Sequence, residues 1–290
     1  MSPQRAPTAS RALADWPAAW GIGRAQRVTE TAGSHIWRVW RRGEASPCIV
    51  KLLKDRSDAA DELRGAHYLR WRAGEGAVRL IDQWGRMLLL EDAGARALSQ
   101  EPDARAIAIA AAMLARLQRP GSAAKPRELQ DLRTRYASLF ARASRHVGAG
   151  DDEAAYAASA RLAQSLLDAP HAAMPLHGDL HHDNVMHGSR GWLAIDPKGV
   201  LGDAAFDAAN WFYNPWGRHA VQRCPARIRR LAAALAQALG CTPTHVLRHG
   251  VAYGGLSATW FSEDGNAAQA RATLDTQRVL RAVLDAAAAT

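Results

Sequence analysis

The sequence predicts an α+β chain with a small antiparallel β-sheet at the front and a larger, mainly helical remainder. Three observations carry this. Short β-type runs separated by turn residues fill the chain up to Leu90, helical and alanine-rich segments begin at Pro102, and a loop-rich interruption crowded with His, Asp and Gly lies between His171 and Ile195.

The front reads strand by strand. Arg27 to Glu30 leads into the turn Thr31-Ala32-Gly33-Ser34, followed by Ile36 to Trp40, a polar turn at Arg41 to Ser46, and Cys48 to Leu53. Lys51 falls within the third strand. A helix is predicted from Ser57, a residue suited to capping, to Arg72, with Leu63, His67 and Leu69 to Trp71 as its apolar stripe and Gly74 and Gly76 ending it. Ala77 to Ile81 and Met87 to Leu90 read as a further hairpin. The order is thus β-β-β-α-β-β. Helices follow at Pro102 to Gln118, Arg127 to Arg145, Asp152 to Leu167, Ala204 to Tyr213, Pro225 to Leu239, Pro243 to Phe261 and Asn266 to Ala288, three of them opening on proline.

At 290 residues and 48% hydrophobic, the chain suits one large core or two modest lobes. No run approaches the ~18 apolar residues of a membrane span. The start, MSPQRAPTASR, lacks the apolar stretch of a signal peptide, so a soluble cytoplasmic protein with no membrane partner is expected. Three scattered cysteines, Cys48, Cys224 and Cys241, form no CxxC pair and read as buried or incidental thiols. The net charge of +9 raises the question of nucleic acid, but arginine is spread over nearly every predicted helix with no basic run interleaved with aromatics, so none is expected. Between His171 and Asn214 the balance reverses, with five aspartates against Arg190 and Lys198.

That acidic stretch carries the chemistry. It contains His177-Gly178-Asp179-Leu180-His181-His182-Asp183-Asn184, then the hydrophobic strand Trp192 to Ile195, then Asp196-Pro197-Lys198-Gly199. Asp179 and Asn184 stand five residues apart, the spacing of a protein-kinase catalytic loop, in which an Asp accepts the substrate hydroxyl proton and an Asn reaches magnesium. Asp196 follows twelve residues later at a strand end, with a glycine three places on, like a magnesium-binding loop. Phosphoryl transfer needs these types because its loose transition state is served by positioning and charge neutralisation, and because magnesium takes hard oxygen ligands. The competing reading is a zinc site built from His177, His181, His182 and His187 with Asp179 and Asp183. It leaves Asp196 without a role.

The run LHGDLHHDNVM with WLAIDPKGVLGDAAFDAANWFYNP resembles the aminoglycoside/hydroxyurea antibiotic resistance kinases, the group that includes streptomycin 6-kinases, within the aminoglycoside-phosphotransferase superfamily. The match is close over Leu176 to Pro215. The resemblance implies a bilobal protein-kinase-like fold, ATP and Mg as cofactors, Asp179 as catalytic base, and Asn184 and Asp196 as metal ligands. The lobes would span residues 1–92 and 93–290, joined at a hinge near Leu88 to Ala93, where main-chain groups of Glu91 and Ala93 would read adenine.

Within that plan Lys51 would point its ammonium at the ATP phosphates, held by an acid of the next helix, with Glu62 ahead of Asp61 and Asp58. Gly33 and Ser34 sit where a phosphate-covering loop belongs, although one glycine there is equally a plain hairpin turn. Lys198 is a candidate contact for the γ-phosphate. A polycationic acceptor such as streptomycin calls for carboxylates, and Asp203, Asp207, Glu263 and Asp264 are the candidates, with Asp207 also suited to bracing the catalytic loop. Other hydroxylated acceptors (a sugar, an amino alcohol or hydroxyurea) remain open, as does a catalytically silent nucleotide-binding module. No signal for oligomerisation is present.

Overall fold

The computed structural model describes residues 16–55, 59–121, 124–145, 150–169 and 172–288. The predicted Ser57 cap and the alternative acid Asp58 lie outside them.

Strands β1 (Ile22–Glu30), β2 (Ser34–Arg41), β3 (Cys48–Leu53), β4 (Leu80–Trp84) and β5 (Met87–Glu91) form an antiparallel sheet in the order β1-β2-β3-β5-β4. Period-two alternation sends Cys48 and Val50 of β3 to an outer cluster with Trp16, Trp20, Trp37, Val39 and Leu89. Lys51 is therefore turned to the opposite face, where it is buried. That face is covered by helix α1 (Ala59–Arg72). Buried Arg72 pins the end of α1 by donating to the carbonyls of Glu75 at 2.8 Å and Arg119 at 2.6 Å.

The remainder contains α2 (Asp103–Leu117), α3 (Ala137–Arg145), α4 (Asp151–Asp168), α5 (Phe206–Ala209), α6 (Pro225–Leu239), α7 (Pro243–Glu263) and α8 (Ala267–Ala288). Helix α7 is buried along most of its length and packs against α4, α5, α6 and α8. Two small sheets lie among the helices. Strands β6 (Arg96–Ala97), β9 (Val185–Gly188) and β10 (Gly191–Ala194) make one, and β7 (Gln130–Asp131), β8 (Met174–Leu176) and β11 (Val200–Gly202) make the other.

Several local expectations are corrected by long-range pairing. The segment predicted as one helix from Arg127 to Arg145 begins with β7, because β7 pairs in parallel with β11 and Gln130 donates its N–H to the Gly199 carbonyl at 3.0 Å. Only then come a helical turn at Leu132–Arg135 and α3. Ala77 makes an isolated bridge to Ala194 rather than a hairpin strand, which starts at Leu80. The helix expected over Ala204 to Tyr213 is α5 followed by a 3₁₀ turn at Asn210–Tyr213. Of the cysteines, Cys48 is buried, Cys241 half-buried and Cys224 exposed, all as free thiols. No helix among the described residues is long and apolar enough to cross a membrane.

Candidate active site

The loop after β8 is built around its backbone. Gly178 has φ +84°, and a Cβ there would meet Val200 Cγ2 at 2.5 Å, so only glycine passes under β11. Asp207, buried at the start of α5, accepts the backbone N–H of His177 at 2.8 Å and of Gly178 at 2.7 Å, one on each carboxylate oxygen. Burial pushes the Asp207 carboxyl up to about 7, against the pull of these two donors.

His177 ties the loop to the strand that follows. Its Nε2 lies 2.7 Å from the Ile195 carbonyl, which can only accept, so Nε2 carries the proton. Nδ1 then accepts the Asp179 N–H at 3.3 Å. Burial lowers His177 to about 4, which keeps the ring neutral at physiological pH.

Asp179 is aimed by two amides. Asn210 donates to Oδ1 at 3.0 Å, and Asn184 donates to Oδ2 at 3.3 Å and to the Asp179 carbonyl at 2.8 Å. With Nδ2 of Asn184 so engaged, its Oδ1 is the atom left to face a cation. The β9–β10 hairpin brings the second oxygen donor alongside, because Asn184 and Ile195 flank its open end and the Ile195 N–H donates to the Asn184 carbonyl at 2.9 Å. Asp196 comes next, held in the left-handed region at φ 59°. One amide oxygen and one carboxylate form a hard donor set that fits magnesium.

Lys51 Nζ stands 2.5 Å from Glu62 Oε2 and 2.6 Å from Asp196 Oδ1. The second oxygen of Glu62 takes Lys198. Burial acts to raise the Asp196 carboxyl, but the ammonium groups of Lys51 and Lys198 outweigh it and hold it below the usual range. Asp61, the other acid weighed for Lys51, pairs instead with Arg64 and with Arg135. These contacts require α1 to lie on the Asp196–Gly199 loop with backbone touching backbone. A Cβ on Gly65 would sit 1.9 Å from the Pro197 carbonyl oxygen, and one on Gly199 would sit 2.6 Å from the Arg64 carbonyl oxygen.

Two cavities open around this charge network. A cleft of about 300 Å³ between the sheet and the β9–β10 hairpin is walled by Val28, Ile36, Ile49, Val78, Leu90 and Met186, with Lys51 and Asp196 at one part and Glu91, Asp92 and Ala93 at another. The Glu91 side chain is held by Arg190, and Asp92 by Arg38. A cavity of about 470 Å³ contains Asp179 and Lys198 and is lined further by Asp183, Asn210, Trp216, Trp260, Phe261 and Asp264.

The structure sorts the remaining sequence candidates. Gly33, in the β1–β2 turn, and Ser34, the first residue of β2, do not line the cleft. The Ser34 side chain is buried, with its hydroxyl 3.0 Å from the Thr31 hydroxyl. Asp264 reaches the larger cavity, whereas Glu263 lines a separate small one with Arg142, Arg145 and Thr259. Asp207 is spent on the loop backbone and Asp203 on His245, His249 and the Ala205 N–H, so neither lines the larger cavity.

Of the four histidines weighed for zinc, His181 stays beside Asp179, its Nε2 3.9 Å from Oδ2, and its Nδ1 accepts the Asp183 N–H at 3.3 Å, while the other three disperse. His177 is committed as above, His182 stacks edge-on against Trp211, and His187 against Trp192. Residues not singled out from sequence include Asn210, Trp216 and Arg135, and Asp183, weighed there only as a zinc ligand, lines the larger cavity instead. A signal existed for Asn210, which stands three residues after Asp207 and so on the same helical face.

A family model for aminoglycoside/hydroxyurea antibiotic resistance kinases matches residues 19–265. The chain belongs to that family. It is 37% identical to a streptomycin 3''-kinase of Klebsiella pneumoniae over 88% of this chain and 94% of the relative. It is 33% identical to a streptomycin 6-kinase of Streptomyces glaucescens over 83% and 79%. Among solved structures it resembles an aminoglycoside phosphotransferase, APH(4)-Ia, in a ternary complex with AMP-PNP and hygromycin B, with TM-score 0.62, 16% identity and coverage of 93% and 96%. A choline/ethanolamine kinase family protein from Mesorhizobium loti gives TM-score 0.63 at 15% identity over 94% and 96%. The fold is thus the two-lobed, protein-kinase-like fold of these phosphotransferases, and the family is one of enzymes that transfer phosphate to a hydroxyl group.

Proposed function

We propose that this kinase uses ATP and magnesium to phosphorylate a hydroxyl of an aminoglycoside, with streptomycin as the acceptor. The observation that carries the reading is that Asp179 and Lys198 line the 470 Å³ cavity, while Asp196, two residues before Lys198, lines the nucleotide-sized cleft. A hydroxyl held in the first would face a phosphate held in the second.

Asp179, oriented by Asn210 and Asn184, accepts the hydroxyl proton as the new P–O bond forms. Lys51 and Lys198 offset charge on the phosphates, and Glu62 holds both ammonium groups in place. Asn184 and Asp196 would hold magnesium, which when bound would neutralise phosphate charge. Glu91 and Ala93 supply main-chain contacts to adenine at the cleft's apolar end. Gly33 and Ser34 contribute the turn above the cleft rather than phosphate ligands.

A cationic acceptor fits the larger cavity. Trp216 and Phe261, with ring centroids 5.5 Å apart, offer faces on which a guanidinium can stack, and Asp183 and Asp264 supply carboxylates. The chain's positive net charge is a mild obstacle to capture, because at physiological salt the Debye length is about 8 Å and nearby carboxylates dominate.

Measuring ADP release with streptomycin, other aminoglycosides, hydroxyurea, sugars and amino alcohols, with mass analysis of products, tests the assignment. Streptomycin-dependent release with a singly phosphorylated product is expected. Release that requires a neutral acceptor and ignores aminoglycosides would overturn the choice of substrate, and no acceptor-dependent release at all would favour a silent nucleotide-binding module.

A further inference from the structure

The acidic stretch holds one carboxylate that the reaction does not use. Asp203 follows β11 and is buried, with its Oδ1 fixed by the Ala205 N–H at 2.8 Å and its carbonyl accepting the Phe206 N–H at 3.0 Å. The direction of Oδ2 is therefore set by the backbone turn. Two imidazoles converge on it. His245 Nε2 lies 2.7 Å away and His249 Nε2 3.4 Å away.

His245 and His249 are four residues apart near the start of α7, so they share one helical face, and their rings lie 4.9 Å apart. A helical pair of histidines at this spacing, completed by a carboxylate from elsewhere in the chain, is a recurrent way of holding a transition metal. The three ligand atoms all fall within 4.8 Å of one another. Around a tetrahedral ion with bonds of this type, neighbouring ligand atoms stand roughly 3.3 Å apart; His249 already has about that spacing from Asp203 Oδ2 at 3.4 Å, and His245 at 2.7 Å would turn outward to reach it.

The preorganisation is uneven in a useful way. His249 is almost fully buried and Asp203 nearly so, which fixes both, while the His245 side chain retains 27% exposure and leaves an approach from solvent. The plain alternative is that both rings simply hydrogen-bond to Asp203. In that arrangement two N–H donors are directed at a single carboxylate oxygen, and one divalent ion replaces both protons with three bonds.

We propose that Asp203, His245 and His249 form a binding site for a divalent transition-metal ion of the zinc class, separate from the magnesium ligands and open to solvent beside His245. None of the three residues lines the nucleotide cleft or the acceptor cavity. Asp203 stands four residues before Asp207, whose carboxylate braces the catalytic loop. A bound ion would therefore fasten the β11–α5 turn on which that brace depends.

The test uses the full chain, stripped with a chelator and free of nucleotide, titrated with zinc at about pH 7.5. Bound metal is read by equilibrium dialysis and stabilisation by thermal melting. One equivalent of zinc and a raised melting temperature are expected, with affinity falling about tenfold or more in His245→Gln and the zinc-induced rise in melting temperature, taken against each protein's own metal-free curve, lost in that variant. Asp196→Asn should retain the site. Cobalt should give visible absorption bands in the wild type that His245→Gln loses. The proposal is overturned if the wild type binds no stoichiometric zinc, if His245→Gln binds it equally well, or if binding is lost in Asp196→Asn instead.

Discussion

Asn210 donates its side-chain N–H to Asp179 Oδ1 at 3.0 Å across 31 residues of sequence, so the carboxylate assigned as the base is aimed from the helical side of the cavity. Removing that donor leaves Asp179 in place but held on its side chain by Asn184 alone, at 3.3 Å. Asn210→Ala should lower kcat about tenfold or more with the KM for ATP nearly unchanged. Steady-state kinetics at saturating acceptor check this, and a change confined to the KM for ATP would contradict it.

The contact of Gly65 with Pro197 predicts a different signature. A methyl group at Gly65 has no room, so α1 must move off the metal loop and carry Glu62 away from Lys51 and Lys198. Gly65→Ala should weaken ATP binding and cost about 1–3 kcal/mol of stability through overpacking. Nucleotide titration and denaturant melts report both. Wild-type values in the variant would mean that α1 does not need this close approach.

Lys198 distinguishes charge neutralisation from mere packing. Lys51 keeps its own contact with Glu62 when Lys198 is lost, so the nucleotide cleft should survive. Lys198→Ala is expected to lower kcat about tenfold to a hundredfold with ATP affinity largely retained. Intact turnover would remove Lys198 from the phosphate-binding set.

Acid should weaken the fold before ordinary carboxylates titrate. Burial lowers His177 to about 4 and His182 to about 3, whereas unfolded imidazoles take protons near pH 6.5. Between these values unfolding takes up protons at both rings. Asp207, raised to about 7, acts in the opposite sense and gives one up. The net is uptake on unfolding, so stability falls as pH drops from about 6.5 to about 4.5, by on the order of 2 kcal/mol. Denaturant unfolding at the two pH values measures it, and equal stability would count against the neutral, buried state of these rings.

How much of this was legible in the sequence depends on the range of the interaction. Asp179, Asn184 and Asp196 stood out because a loop, a hairpin and their spacing are local, and Lys51 because that downstream motif implies a strand lysine ahead of it, since the apolar run around it does not by itself choose a face. Charge alone misled at Asp203, whereas at Asp207 the bracing role weighed beside substrate contact is the one its hydrogen bonds bear out. An acidic stretch does not reveal side-chain direction, and both carboxylates turn inward to backbone N–H groups or imidazoles. The break in the predicted helix after Arg127 was hidden for a related reason, since β7 exists only because β11 lies beside it. Asp183, Trp216 and Asp264 meet in one cavity through the packing of separate segments, which no local pattern records.

The central claim is that Asp179 activates an acceptor hydroxyl for attack on ATP. Streptomycin-dependent ADP release by wild type and Asp179→Ala, with nucleotide affinity measured in parallel, tests it most directly. The account predicts a fall in turnover of about 10²–10⁴-fold with ATP binding retained. An Asp179→Ala variant that phosphorylates streptomycin at the wild-type rate would contradict it.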